Sequence, residues 1–372
     1  MRILVGILSV VLILIILQDA FETIVLPRRP TRRFRLTRIF YTLMWHLWSG
    51  IGRKIRSTNR RDNYLSYFGP LSLLLLLIVW AVVLIFGFAC LQWAFGAALQ
   101  APGGKPGFFT VFYMSGTTFF TLGLGDVIPV TTGARVITII ECGIGFGFLA
   151  LVIGYLPVIY QSFSRREVNI SLLDAHAGSP PSAAELLHRH SMGHDTDALV
   201  NILRDGERWA ADMMESQLSY PVLMYYRSQH DRQSWVAGLT TLLDVCALVM
   251  VGIDGIPAKP AWFTFAIARH AAVDLSQIFG SRVIRPFNCT TDRLPLEEFK
   301  GLCDYLTSSG MQVKSDEKAY QKLKELRKMY EPYVNALSQY LLMPLPNFMN
   351  EGESIDDWRT SAWEHAEHAP VA

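Results

Sequence analysis

Hydrophobic and polar positions divide this chain into two unlike halves. Ile3 to Leu17 is an apolar run broken only by the small residues Gly6 and Ser9, and with its continuation to Leu26 it reaches about 24 residues. Roughly 20 suffice for a helix to cross a bilayer. Arg2 gives only a weak basic start and no small-x-small cleavage site follows, so the run reads as a retained span rather than a cleaved leader. Leu71 to Phe95 holds no charged residue and follows Pro70, a residue suited to a helix start. Gly133 to Phe163 is a third run, with Arg135 and Glu141 as its charges, and Ser164-Arg165-Arg166 closes it. Between the last two runs, Phe108 to Phe120 is apolar and aromatic but, at about 13 residues, too short to cross; it predicts a re-entrant half-helix. Pro102-Gly103-Gly104 and Pro106-Gly107 break the chain ahead of it.

A different pattern fills the gap after the first run. Leu36, Ile39, Phe40, Leu43, Met44, Leu47, Trp48 and Ile51 recur at helical spacing, with Arg35, Arg38, His46 and Arg53 mostly off that stripe. This predicts an amphipathic helix lying on a membrane surface. Asp19 and Glu22, near the end of the first run, share a helix face; they either pair with nearby arginines or reach the lipid headgroups.

From Glu167 onward the periodicity is that of a water-soluble helical domain. Helices are expected over 183–190, 195–218, 232–251, 260–279, 296–308 and 316–342, with Asp195 and Asp316 as N-caps. Trp209, Met213, Leu239, Leu242, Leu243, Val245 and Leu248 are its expected core, Gly178 to Ser182 a linker or turn, and Asn347 to Ala372 a loosely held tail. The expected architecture is thus membrane all-α: an extra N-terminal transmembrane helix, an outer helix, a re-entrant helix with its loop, an inner helix, and an all-α cytosolic C-terminal domain. The corresponding segments are 1–26, 27–66, 67–163, 164–346 and 347–372.

Charge orients this plan. Over the whole 372 residues the net charge is only +2, which argues against a general nucleic-acid binder. Arginine and lysine are instead packed into 28–61, and Asp62 is the only acid between Pro27 and Ser66. A basic segment beside a span marks the cytoplasmic side and suits anionic headgroups. Both flanks of the 67–163 segment are basic, so its loop faces outward, the N-terminus lies outside and the C-terminal domain is cytoplasmic, in a plasma or bacterial inner membrane. The cysteines, Cys90, Cys142, Cys246, Cys289 and Cys303, form no C-x-x-C pair and read as reduced thiols.

The candidate chemistry lies in the loop after the half-helix, Thr121-Leu122-Gly123-Leu124-Gly125-Asp126. Irregular backbone at membrane depth is tolerated only where it is enclosed by protein or lines a watery cavity. Glycines at 123 and 125 permit backbone angles that turn successive carbonyls one way, and a ring of carbonyls can replace a cation's water shell. The segment resembles the potassium-channel filter, commonly written T-V-G-Y-G-D, and Thr117-Thr118 before it and Pro129 after it fit that family's pore loop. The resemblance covers roughly residues 71–163, one pore unit. It implies K+ as the permeant ion, sites at the carbonyls of Thr121, Leu122, Gly123 and Leu124, and Asp126 anchoring the filter from behind through the half-helix. One loop per chain implies a homotetramer. Two positions depart from the family: Leu124 replaces tyrosine and Phe120 replaces threonine. Leucine cannot hydrogen-bond, so bracing falls to packing against Tyr113, Phe119 and Phe120.

Further residues carry narrower expectations. Gly143, Gly145 and Gly147 sit midway along the inner helix, with Gly154 and Pro157 beyond them. The functional reading is a gating hinge at Gly143 or Gly145 and a constriction near Pro157, where a helix hydrogen bond is lost; the other reading is close helix packing by small residues. A hinge would make Gly145→Ala change gating and leave ion preference intact. Glu141 is an intramembrane acid that either attracts cations in the cavity or bonds behind the filter. His188, His190 and His194, with His176, form a histidine-rich cluster that suits metal or proton sensing or, more plainly, a solvated helix end. No P-loop, G-x-S-x-G, H-E-x-x-H or G-x-G-x-x-G pattern occurs, so neither an enzyme nor a Rossmann regulator is expected, and no cofactor or soluble ligand is indicated. The competing function is a membrane-anchored signalling or scaffold protein with a vestigial or weakly selective pore.

Overall fold

The structure, a computed structural model, describes residues 1–26, 35–96, 99–101, 106–191, 196–228, 233–279 and 292–350. These residues are almost wholly helical, and the chain divides into two compact units, 1–161 and 162–372. Each long apolar run of the first unit is a helix because a backbone without water must satisfy its own amides and carbonyls.

In the first unit α1 (Arg2–Ile24) lies antiparallel against α4 (Phe68–Ala94), as three pairs show. A Cβ on Gly6 would meet Ala94 at 3.5 Å, Gly87 gives way to Ile13, and Asp19 meets Trp80. A Cβ on Gly87 would lie 2.8 Å from Ile13 Cγ1, so this glycine sets the approach of the two helices. Ile13, Ile16 and Ala20 of α1 join Leu76, Leu77, Trp80, Leu84 and Phe88 of α4 in one core.

Asp19 is the polar centre of this packing. Its carboxylate is buried and accepts from the Trp80 indole N–H at 3.1 Å, from the Thr37 amide at 3.1 Å and from the Thr37 hydroxyl at 2.6 Å. Thr37 is in the first turn of α2 (Leu36–Gly52), so Asp19 also caps that helix, where free amides favour an anion. Beside it Arg35 meets Glu22 at 3.5 Å and donates to Thr23 at 3.0 Å. The expected arginine pairing is thus seen for Glu22, while the described partners of Asp19 are an indole, an amide and a hydroxyl.

Helix α2 turns its apolar stripe outward: Leu36, Ile39, Leu43, Leu47 and Ile51 are exposed, while Trp45 and Ser49 are buried. It is held on its other face by the start of α4 and by the short polar α3 (Thr58–Ser66), which the hydrophobic pattern did not predict. Trp48 stacks on Tyr64 at 4.7 Å, Trp45 meets Phe68 edge-on, and Leu65 fills the space above Gly52. The basic residues 28–33 lie outside the described residues.

After α4 come β1 (Leu99–Gln100), the half-helix α5 (Phe108–Phe119), β2 (Ile128–Pro129) and α6 (Thr132–Ala177). β1 and β2 pair antiparallel, Leu99 opposite Pro129, a two-residue ribbon too short to show alternation. Helix α6 does not end at Phe163 as expected. Charged residues end an apolar run without ending a helix, and the stop is Gly178, whose φ of 77° suits the left-handed position after a helix. The helix also continues through Pro157.

The second unit holds the end of α6, α7 (Ala183–Arg189), α8 (Thr196–Ser219), a 3-10 turn (Pro221–Tyr225), α9 (Trp235–Gly252), α10 (Ala258–Ile278), α11 (Leu296–Ser308), α12 (Glu317–Lys328) and α13 (Glu331–Leu341). Helix α9 is apolar and long enough to cross a membrane, but it is buried on all faces by this unit and is its central helix. All seven expected core residues are buried. Asp316 caps α12, accepting from the Ala319 amide at 2.9 Å; Asp195 lies outside the described residues. The single helix expected over 316–342 is broken into α12 and α13 because Pro332 has no amide to continue the ladder.

An ionic network closes this unit. Arg293 donates to Asp244 at 2.7 Å and meets Glu331 at 3.3 Å, and Arg327 meets Glu331 at 2.9 Å and Asp292 at 2.7 Å. Tyr330 hydrogen-bonds to Asp244; burial first, then that carboxylate, pushes its phenol well above the ordinary value and keeps it a donor. Both guanidiniums lie over the Phe348 ring, at 5.0 and 5.4 Å, and the Phe348 carbonyl accepts from the Ala184 amide. The tail expected to be loose from Asn347 is therefore tied down to Asn350, which donates to the Pro180 carbonyl at 2.9 Å; 351–372 lie outside the described residues.

Trp80→Phe keeps the ring and removes one donor from a buried carboxylate. It is expected to destabilise the first unit by about 1.5–3 kcal/mol, read as a shift in the denaturant midpoint of detergent-solubilised protein. In the second unit, partial burial raises the Asp292 carboxyl, but the hydrogen bonds from Arg327 and the Leu294 amide outweigh it and hold it below the usual range. Its stabilisation is thus present above the ordinary carboxylate pKa and is lost as pH falls through the depressed value. Asp292→Asn is expected to flatten that acid limb, as followed by chemical denaturation from neutral to acid pH.

Candidate functional site

The predicted loop sits at the C-terminal end of α5. Its backbone alternates: φ is positive at Thr121 (58°), Gly123 (54°) and Gly125 (77°), and at neither Leu122 nor Leu124. Alternation of this kind turns successive peptide units the same way, amides to one side and carbonyls to the other. Thr121 takes the left-handed conformation without being glycine, a strain of about 1–2 kcal/mol. The amides of the loop turn back to the helix. Leu122 N–H donates to the Thr117 carbonyl at 2.8 Å and Thr121 N–H to the Thr118 carbonyl at 2.9 Å. The last carbonyls of α5 are therefore engaged by the loop itself, and the loop is fixed by the helix it follows.

Asp126 accepts from the Val127 amide at 3.1 Å and interacts with the Tyr113 hydroxyl on α5. Immediately beyond, β2 ties the loop exit to β1, and Arg135 Nε donates to the Pro129 carbonyl at 3.2 Å. Leu122 and Leu124 are each 63% exposed within the chain. The bracing of Leu124 by Phe119 expected from sequence is not what the structure shows. Phe119 is buried against Phe148 of α6, with ring centroids 5.8 Å apart, and Phe120 lies edge-on to it, half exposed.

Three residues of α6 form the seat behind the last turn of α5, at helical spacing on one face: Glu141, Gly145 and Phe148. Glu141 is fully buried, and its Oε1 hydrogen-bonds to Ser115. This corrects the cavity reading of Glu141: its carboxyl is enclosed between helices, and the bond behind the loop is the arrangement present. Gly145 has no room for a side chain. A Cβ there would lie 2.0 Å from the Phe119 carbonyl oxygen and 2.9 Å from the Phe119 Cα. Gly143, Gly147 and Gly154 face open space within the chain. Of the two readings for the inner-helix glycines, close packing is realised at Gly145. Ser115 was not singled out from sequence, and Tyr113 was expected to brace Leu124 rather than to meet Asp126. The available signal for Ser115 was polarity, since it stands within the apolar part of the half-helix.

Among the described histidines, His188 and His190 turn to different partners, and His190 lies beside His176. His188 Nδ1 pairs with Ser309 Oγ at 2.6 Å, while His190 Nδ1 meets the Leu186 carbonyl at 2.7 Å and its ring lies 5.1 Å from that of His176. His194 lies outside the described residues, and among the described residues no three ligating side chains group for a metal.

Residues 73–161 match a family profile described as ion channel, and the matched segment takes in α5, the loop and the α6 seat. This segment is an ion-channel domain of the pore-loop class. Its work is the passage of ions rather than covalent chemistry, so the pore domain is not an enzyme. The chain is also 25% identical over 211 residues to a Bacillus subtilis (strain 168) protein described as the uncharacterized membrane protein YdjJ. That likeness spans 56% of this chain and 60% of the relative. No solved structure matches the chain. With three long apolar helices besides the buried α9, the protein is a membrane protein.

Gly145→Ala is expected to displace the Phe119 backbone, two residues before Thr121, and so to reduce conduction and blur ion preference together. Currents from reconstituted protein check this. A mutant changed only in open probability would restore the hinge reading.

Proposed function

We propose that the protein is a potassium-preferring channel, passive, built from four copies of this chain and regulated through its cytoplasmic helical unit. The observation that carries this is the alternating backbone at Thr121, Gly123 and Gly125, placed directly after a half-helix within an ion-channel domain. Four such loops would ring an axis with carbonyl oxygens of Thr121, Leu122, Gly123 and Leu124, and the Thr121 hydroxyl would add the innermost ring. Asp126 would hold each loop to its half-helix through Tyr113.

Two exposed apolar features support assembly. Ile139, Phe146, Ile153 and Tyr160 recur at intervals of seven along α6 and are all exposed within one chain, a spacing that suits a helix lined up with copies of itself. Leu122 and Leu124 likewise have no cover of their own and would pack against a neighbouring copy. The outward stripe of α2 suits the inner membrane surface, with the basic segment at anionic headgroups. On this reading the C-terminal unit would lie in the cytoplasm and the N-terminus outside.

Purified protein in liposomes is expected to pass potassium and to run as a tetramer by native mass spectrometry. Reversal potentials in mixed potassium and sodium should favour potassium, because the backbone glycines are intact. Gly123→Ala puts a side chain at a φ of 54° and is expected to lower the potassium flux by about tenfold or more. Equal permeability of the two cations would reduce the reading to a non-selective pore, and no flux would leave a membrane scaffold.

A further inference from the structure

Glu141, Ser115 and the Ile85 carbonyl form a continuous polar contact across α6, α5 and α4. Ser115 Oγ lies 2.8 Å from the Ile85 carbonyl oxygen and hydrogen-bonds to Glu141 Oε1. Ile85 is buried, and the side chains of Ser115 and Glu141 are both 0% exposed. A serine hydroxyl has a single hydrogen to donate, and a carbonyl oxygen can only accept. If that hydrogen goes to Ile85, the contact with Glu141 needs a second hydrogen, and only the carboxyl can supply it. Glu141 Oε2 points the same way. It has no hydrogen-bond partner, and no basic side chain among the described residues pairs with the carboxyl. A buried carboxylate with one oxygen unpartnered is far more costly than a buried neutral acid with one unused acceptor.

We propose that Glu141 is held as a neutral carboxylic acid and acts as a positioning residue for the filter loop. Its proton bonds to Ser115, whose own hydrogen bonds to Ile85. This relay fixes the inner helix and the outer helix to the half-helix one turn before Phe119. The filter amides hang from the end of that half-helix, on the carbonyls of Thr117 and Thr118. Rotation of the half-helix would therefore move the loop directly, and the relay is the polar element that opposes it. The inference rests on the reading of 121–125 as a filter.

The test compares full-length wild type, Glu141→Gln, Glu141→Leu and Ser115→Ala in liposomes of fixed composition. Glutamine is neutral and can donate to Ser115, so its potassium-to-sodium permeability ratio is expected within about twofold of wild type. Leucine keeps the bulk and loses the donor, and Ser115→Ala removes the middle of the relay with little change in volume. Both are expected to lower the ratio by about tenfold. At neutral pH, infrared spectra of wild type minus Glu141→Gln should contain the carbonyl stretch of a protonated carboxyl. Should Glu141→Leu fail to assemble, Ser115→Ala still decides. Conducting protein without the infrared band, Glu141→Gln as impaired as the relay-breaking variants, or Ser115→Ala equal to wild type would each overturn the proposal. The band does not depend on current. Wild-type protein that shows it and passes no ions would overturn the channel reading, and with it the positioning role, while leaving the neutral acid established.

Discussion

The interaction on which the rest of the first unit depends is the fit of one face of α6 against the last turn of α5. Glu141, Gly145 and Phe148 meet Ser115, the Phe119 backbone and the Phe119 ring in turn. The contact is unusual in being made partly to backbone: at Gly145 the neighbour is a carbonyl group, which cannot rotate away as a side chain can. A short helix that fails to cross the membrane has few contacts of its own to fix its depth and angle. Here both are set by a helix that does cross, and the loop beyond inherits that setting through two amides donated back to Thr117 and Thr118.

A second constraint holds the membrane helices together from the opposite end. Asp19 on α1 offers its carboxylate to two other helices, supplying a partner for Trp80 of α4 and a cap for α2. A charge inside a helical membrane unit is costly unless several donors share it. This one is shared by an indole, a hydroxyl and an amide, and the outcome is that α1 belongs to the pore unit rather than standing apart as an anchor. The orientation of α2 follows as well, since its buried face is fixed by Asp19 at one end and by the Trp48–Tyr64 stack at the other, and its apolar stripe is left pointing out.

How much of this could be read from sequence depended on the range of the interaction. The spans, the half-helix and the loop were legible because each follows from length and hydropathy over a continuous window, and the core of the second unit followed from helical periodicity. What escaped was set by partners distant in sequence. Nothing local to Asp19 marks Trp80, and nothing local to Gly145 marks Phe119. The left-handed φ of Thr121 also had no local signature, because threonine does not favour it. Two misses were avoidable. Pro332 stands in plain view inside the run over 316–342, and the run past Phe163 contains no residue able to stop a helix before Gly178. In both, an apolar pattern was given more weight than backbone chemistry. Nearness in sequence also did not bring His188 and His190 to one partner: His188 meets Ser309 and His190 meets the Leu186 carbonyl.

The Asp19 junction also has a meaning in time. The Asp19 carboxylate is synthesised 18 residues before Thr37 and 61 residues before Trp80. At ordinary rates of translation the second interval is roughly 3–12 s. Over that interval the final indole partner of Asp19 does not yet exist, and the α2 amide and hydroxyl are the first of its described donors to be made. The order in which the chain is made is thus the order in which these donors become available to Asp19: first the helix cap, then the indole.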